Sequence, residues 1–500
     1  MDSEQQKEKK EYRSNFGATI LFSGVQVYQI IIRIVRSKFV ALFIGPTGLG
    51  ISSLLQSTTD LISAATNVGL KTSGVKAVSA ANAEHDRETI ARTIVALRRL
   101  VLLTGIVGAA ICALLSPLWS QSSFHNADFI IAFVIVSLTI LFDQLNNGEI
   151  VLLQGMQRKR FLARVNIIGQ TLGLVLTIPL YYFFRLKAIP WVLAFSSVLT
   201  FIITRVYTRK VELLPVKVTF RETFIIGRDM IKLGIFLSFQ LVLSYLSTFL
   251  LRSIVSKWGG LDDVGLYSAG IAIVNVYLGL VFAAISTDYF PRLAATKSIN
   301  ELGGVISRQA IISILLFFPI VVAFIIFIKP VILLLYSEKF IPIESMLYWA
   351  IGATIVKALG WSISYSILAK ANPTFFFYNE LAATIYCTAL QIAGYYFWGL
   401  TGFGVAILVG YVIYLLQMLI VSQRSFEFKV NLEIWKLFAL GNIGIICAVF
   451  IRIFGIRYNS YWLLYGVGSV FLLCVSLFVF RELNRRIDLI GLFKEKMQKK

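Results

Sequence analysis

The stretch IISILLFFPIVVAFIIFI, Ile311 to Ile328, carries no charge over eighteen positions and is bounded by Arg308 and Lys329. As an α-helix rising ~1.5 Å per residue it covers about 27 Å, close to the ~30 Å of hydrocarbon in a bilayer. Lipid offers no hydrogen bonds to the backbone, so such a run crosses as a helix that satisfies itself. Comparable runs recur on both sides of it. They predict spans at 14–36, 48–70, 95–118, 128–153, 163–184, 188–207, 233–256, 264–287, 307–328, 345–369, 375–397, 402–423, 435–454 and 461–480. The expected fold class is an all-α integral membrane protein of about 14 transmembrane helices. The composition agrees: 57% of residues are hydrophobic and 15% charged, whereas water-soluble domains carry about 25% charge.

The net charge of +21 would suggest nucleic acid in a soluble chain. Here its distribution gives topology instead, and no nucleic-acid partner is expected. With the N-terminus placed in the cytoplasm, about 35 Lys and Arg fall in cytoplasmic segments and about seven outside, which puts both termini inside. The first span, which contains Arg33 and Arg36, is expected to be retained. Aromatic clusters such as Tyr181-Tyr182-Phe183 and Tyr395-Tyr396-Phe397 suit the interfacial belt. The tail spaces Leu483, Ile487, Ile490 and Met497 among basic residues, as an amphipathic helix on membrane lipid would.

The chain repeats weakly at about 214–219 residues. Arg33 and Lys38 match Arg252 and Lys257, and Gly48-Leu49 matches Gly265-Leu266. Phe161 and the first aromatic cluster match Phe375 and the second, and Pro117 matches Pro330. A duplicated unit of six spans enters the membrane twice from the same side. Its copies are therefore expected as two six-helix lobes related by a pseudo-twofold along the membrane normal, with substrate at their interface. The organisation expected is a cytoplasmic N-terminus 1–13, an N-lobe 14–207, a linker 208–232 and a C-lobe 233–423. An extra helix pair 424–480 and a tail 481–500 complete it.

No catalytic constellation is visible, and no cofactor or metal is expected. Cys112, Cys387, Cys447 and Cys474 sit in apolar runs without a CxxC pair, and His85 and His125 fall in separate loops. Gly45-Pro46-Thr47-Gly48-Leu49-Gly50 lacks the Gly-Lys-Ser/Thr ending of a phosphate loop and reads as the turn between the first two spans.

The chemistry rests on ionisable groups within spans. Each costs roughly 2.5–3.5 kcal/mol to insert, so it faces an aqueous cavity or a partner. Arg33 and Arg36 share a helix face; with Lys38, Arg252 and the mid-span Lys357 they are the candidate substrate-binding cations. Guanidinium and ammonium groups suit a diphosphate. The competing reading has them snorkel or pair with acids. Asp60, Asp143, Glu149 and Glu380 are the candidate cavity or ion-coupling acids, for proton or sodium, with structural pairing as their alternative.

Three local strings carry a family resemblance. They are KFVALFIGPTGLG (Lys38–Gly50); Asp263-Val264-Gly265-Leu266-Tyr267 with Tyr289-Phe290-Pro291-Arg292-Leu293; and the stretch from Glu338-Lys339-Phe340 through Lys357 to Ala369-Lys370-Ala371. The sequence resembles, over roughly residues 14–423, the Wzx-type O-antigen and polysaccharide-unit flippases of the multidrug/oligosaccharidyl-lipid/polysaccharide exporter superfamily. The resemblance implies a twelve-helix core with a cationic cavity. It implies that an undecaprenyl-diphosphate-linked glycan passes from the cytoplasmic to the periplasmic leaflet of a bacterial inner membrane, beside polysaccharide polymerase partners. Lys38, Arg252, Lys357 and Glu380 fall where the resemblance implies the same residue type. The extra C-terminal pair departs from twelve-span members and leaves a peptidoglycan lipid-precursor flippase as an alternative. A drug or metabolite antiporter would want net acidic cavity walls, and a membrane glycosyltransferase a sizeable acidic outer loop. A non-transport scaffold is the remaining alternative.

Overall fold

The computed structural model describes residues 25–487, apart from 27, 85, 297, 371, 372 and 461. The expected N-terminal segment 1–13, the start of span 14–36, His85 and tail residues 488–500 lie outside the described residues. Among the described residues there is no strand.

Among the described residues, eight helical segments are long and apolar enough to cross a membrane, or ten when each of two bent pairs counts as one span. The chain is therefore an all-α, multi-pass membrane protein. Three of the eight segments are far too long for one crossing. Lys159–Thr208, Ser238–Ala295 and Thr374–Ser425 run 50, 58 and 52 residues, or about 75–87 Å against ~30 Å of hydrocarbon. Each contains a backbone break where the sequence predicts the end of one span and the start of the next. The breaks are the 3-10 turn Arg185–Ala188, Gly260 at φ 79°, and Trp398-Gly399 with Gly399 at φ 56°.

The chain divides into two compact units. Of the described residues, the first comprises those up to Gly265 with Leu335–Ser337; the second comprises Leu266–Leu334 and those from Glu338 onward.

In the first unit, α1 (Tyr28–Phe43) and α2 (Gly45–Asn67) meet at a 118° bend. The phosphate-loop lookalike makes this turn. Gly45 adopts φ 63°, which suits a residue without a Cβ, and Pro46 opens the next helix with its φ already set. Gly50 marks a close crossing: a Cβ there would strike the Leu261 carbonyl, and one on Gly265 would strike the Pro46 carbonyl. Then follow α3 (Leu70–Ala83), α4 (Arg87–Leu114), α5 (Ser116–Phe124), α6 (Ile130–Gly155), α7 (Lys159–Phe184), α8 (Ile189–Thr208) and the long α9 (Phe220–Ala272). In α4, Ile90, Ile94, Leu97 and Val101 recur at helical spacing and join Leu70, Val78, Val151, Leu152 and Ile203 in one buried cluster. Helix α6 is central, packing on α2, α3, α4, α5, α7 and α8.

The second unit holds α10 (Gly279–Ala295), α11 (Ile299–Ile326), α12 (Ile328–Leu335), α13 (Glu344–Gly352), α14 (Thr354–Lys370), α15 (Pro373–Phe426), α16 (Leu432–Arg457) and α17 (Gly468–Ile487). Helix α14 lies at its centre, in contact with α10, α11, α13, α15 and α16. The last two helices, α16 and α17, both pack on α11.

Candidate functional site

In a bilayer the helix with most neighbours can hold polar side chains most cheaply, because helix partners rather than lipid receive them. Helix α6 does so with Asp143, Gln144, Asn146 and Glu149. Gln144 Nε2 donates to the Ser63 carbonyl at 3.1 Å, and Asn146 Oδ1 accepts from Thr204 at 2.6 Å. Asp143 shares a hydrogen bond with Ser197 and lies within the electrostatic influence of Lys71.

The first unit brings three of the expected residues together. Asp60 of α2 feels the charge of Arg252 of α9 and that of Asp143. Arg252 Nη1 also donates to the Ser53 carbonyl at 2.8 Å, fastening α9 to α2. The result is a mixed cluster of two carboxyl groups and a guanidinium across three helices.

The other first-unit candidates are disposed differently. Arg33 and Arg36 are exposed, and among the described residues neither has a carboxylate within ion-pair distance. Arg36 acts electrostatically on buried Tyr181, whose hydroxyl bonds Ser52. Lys38 is half-buried, and its Nζ donates to the Tyr336 carbonyl at 2.6 Å. Glu149 is buried between two guanidinium groups. Arg98 approaches it through two bonds of 2.9 and 2.8 Å, and Arg205 through one of 2.6 Å. Its charge is already compensated, as in a brace joining α4, α6 and α8; this is the structural pairing set against an ion-coupling role in the sequence.

In the second unit, Lys357 lies in the first turn of α14, near the middle of the predicted span 345–369. Its Nζ lies 5.3 Å from the ring centroid of Phe282 and 5.1 Å from that of Tyr411. Cation–π attraction of this kind contributes about 0.5–2 kcal/mol. It steadies the ammonium without neutralising it, and among the described residues Lys357 has no carboxylate partner within 4.0 Å. Glu380 of α15 accepts from the Tyr414 hydroxyl of the same broken helix at 2.8 Å and, across the α14–α15 seam, from Ser364 at 3.4 Å. One turn away, Gln417 bonds Asn379 at 2.6 Å and receives the Tyr386 hydroxyl at 2.8 Å.

Sequence reading missed the most buried charge of this unit. Arg452 of α16 is 1% exposed and pairs with Glu344 of α13. It falls near a predicted span end. Its position inside span 435–454 was the available signal.

Three comparisons with known proteins bear on this arrangement. The family described as polysaccharide biosynthesis protein matches residues 17–297. A Shigella flexneri protein described as an O-antigen transporter is 22% identical over 293 residues, spanning 57% of this chain and 68% of that one. Among solved structures, an inward-facing multidrug resistance MATE family transporter of the MOP superfamily superposes with a TM-score of 0.65 at 18% identity, over 81% of this chain and 94% of its own. The lipid II flippase MurJ in an inward closed conformation gives 0.63 at 15% identity, over 94% and 100%. A MOP superfamily transporter from Pyrococcus furiosus gives 0.57 at 17% identity, over 82% and 95%. At these identities the structural likenesses establish the transporter fold.

Proposed function

We propose, from the premise that the chain belongs to the polysaccharide biosynthesis protein family, that it flips a lipid-linked oligosaccharide across a bacterial inner membrane. The cargo is an undecaprenyl-diphosphate-linked repeat unit, moved from the cytoplasmic to the periplasmic leaflet by alternating access with both termini cytoplasmic. The relative described as an O-antigen transporter supports this cargo class.

One observation carries the reading. Lys357 is a half-buried cation in the central helix of its unit, held by ring faces and without a carboxylate partner among the described residues. A cation in a membrane helix is expensive unless water or an anion meets it. A diphosphate supplies that anion once per cycle. Arg33, Arg36, Lys38 and Arg252 are proposed to guide the same headgroup. Asp60, Asp143 and Glu380 are proposed as the acids that exchange a coupling proton or sodium ion.

The test is a deletion strain assayed for lipid-linked oligosaccharide in each leaflet. Accumulation on the cytoplasmic face, relieved by the intact gene and not by an inserted, folded Lys357→Ala variant, is the expected result. Normal surface polysaccharide with altered drug tolerance would instead assign the chain to drug antiport.

A further inference from the structure

Helix α14 is buried on most of its surface: Ile355, Leu359, Ser362, Ile363 and Ser366 are all enclosed. One stripe stays open. Lys357, Trp361 and Tyr365 are each half-buried, and Leu368 follows them at 43% exposure. Positions i, i+4 and i+8 lie one above another on a helix face, so the cation and the two rings stand in a row with a rise of ~6 Å between neighbours.

The rings form a continuous strip. Trp361 and Tyr365 have centroids 4.4 Å apart, and Phe282 stands 5.3 Å from Trp361 at the lysine end. Ordinary core aromatics bury their faces and satisfy their polar tips. Tyr289, behind the strip, does both: it is 1% exposed and its hydroxyl donates to the Ser362 carbonyl at 2.6 Å. Tyr386 and Tyr414 likewise donate to protein acceptors. The Trp361 indole N–H and the Tyr365 hydroxyl make no hydrogen bond to any described residue. Each ring rests against Tyr289, with centroids 5.9 and 6.1 Å away, and stays part-exposed with an open donor, one and two turns from a cation that has no carboxylate partner among the described residues.

A pyranose has the complementary chemistry. Its C–H face packs on the electron-rich face of an aromatic ring, and its hydroxyls accept from a nearby N–H or O–H. One pyranose is comparable in width to one helical turn (~5.4 Å). We propose that Trp361 and Tyr365 are the stacking platform for the two sugar rings nearest the diphosphate, in register with Lys357 beneath the phosphates. This rests on the flippase reading above and adds to it a subsite that reads pyranose faces.

The test uses two probes on the full chain in nanodiscs: farnesyl diphosphate, and farnesyl diphosphate carrying a chitobiose disaccharide. The wild type binds the glycosylated probe more tightly. Trp361→Leu and Tyr365→Leu each weaken the glycosylated probe about 3- to 10-fold, the size of one aromatic contact, and leave the sugar-free probe unchanged. Unchanged sugar-free binding is also the folding control. Trp361→Phe keeps most of the preference, and Lys357→Ala weakens both probes. Leu variants that leave glycosylated binding untouched, or that weaken both probes equally as a packing defect would, overturn the platform. A wild type that binds neither probe overturns the flippase reading and the platform with it.

Discussion

Tyr414 donates its phenolic hydrogen to Oε1 of Glu380 at 2.8 Å, across the seam between two halves of one broken helix. The bond ties the first half of α15 to its second half through a carboxylate facing α14, where Ser364 adds a weaker contact. A hydrogen bond to a charged group contributes about 1.5–3 kcal/mol. Tyr414→Phe removes that donor and little else, so it should slow flipping in proteoliposomes about tenfold while membrane expression stays normal. Glu380→Gln should slow it at least as much. Wild-type rates in both variants would show that this pair has no part in transport.

Glu149 presents the opposite case, a carboxylate held by two arginines. Removing it leaves Arg98 and Arg205 facing one another without compensation. Breaking a buried pair costs about 3–5 kcal/mol, and the low end applies here because Arg98 and Arg205 keep 28% and 34% of their side-chain surface open. Glu149→Ala should therefore lower the thermal midpoint and the yield of folded protein, and Glu149→Ala with Arg98→Met should recover part of the loss. A Glu149→Ala protein of normal stability and altered ion dependence would return Glu149 to the coupling acids.

Two helix starts outside the membrane spans should fray in acid. Glu222 accepts from the Thr219 backbone N–H at 2.7 Å, while Thr219 Oγ1 accepts from the Glu222 N–H at 3.3 Å, a reciprocal cap on α9. The backbone bond first, then the Thr219 side chain, holds Glu222 below the usual glutamate range. At the start of α4, the Thr89 hydroxyl at 2.5 Å and then the Glu88 N–H hold Asp86 below the usual aspartate range. A carboxyl whose folded value is depressed contributes stability above its unfolded value, near 4, and loses it as pH falls through the folded value. Hydrogen exchange corrected for intrinsic rate should show both starts losing protection below about pH 4, an effect flattened in Glu222→Gln and Asp86→Asn. Equal protection at lower pH would contradict the caps.

The apolar runs were legible because lipid demands them: long uncharged stretches can only be helices, and the breaks at Arg185, Gly260 and Gly399 fall where the sequence places turns. Legible too were the charges worth inspecting, since Asp60, Asp143, Lys357 and Glu380 stand out in apolar surroundings. Their partners were not. Glu149 meets Arg98 and Arg205 across 51 and 56 residues, and Arg452 meets Glu344 across 108. Such pairings depend on which helix packs beside which, and composition is silent on that. The stripe Lys357, Trp361, Tyr365 is a different miss: its spacing of four was present in the sequence, but only packing reveals that the rest of α14 is enclosed.

The Arg452–Glu344 pair fastens α16 to the rest of its unit. Arg452 Nη2 and Nε reach Oε1 of Glu344 at 2.5 and 3.1 Å, and Nη1 donates to the Ile326 carbonyl at 2.9 Å. Tyr348 adds its hydroxyl to the same carboxylate, and its ring centroid lies 5.6 Å from the guanidinium. Helix α16 is thereby fixed to α13 and to the end of α11 at a point where its own apolar face offers no specificity against lipid. Glu344→Ala strands a guanidinium that is 1% exposed, so a loss of about 3–5 kcal/mol is expected. Replacing both charges, as Glu344→Leu with Arg452→Met, should recover much of it, since well-packed apolar pairs often match a buried ion pair. Thermal unfolding of Glu344→Leu, Arg452→Met and the double closes the cycle. Additive losses would mean that the pair does not act as a unit and that packing alone holds α16 in place.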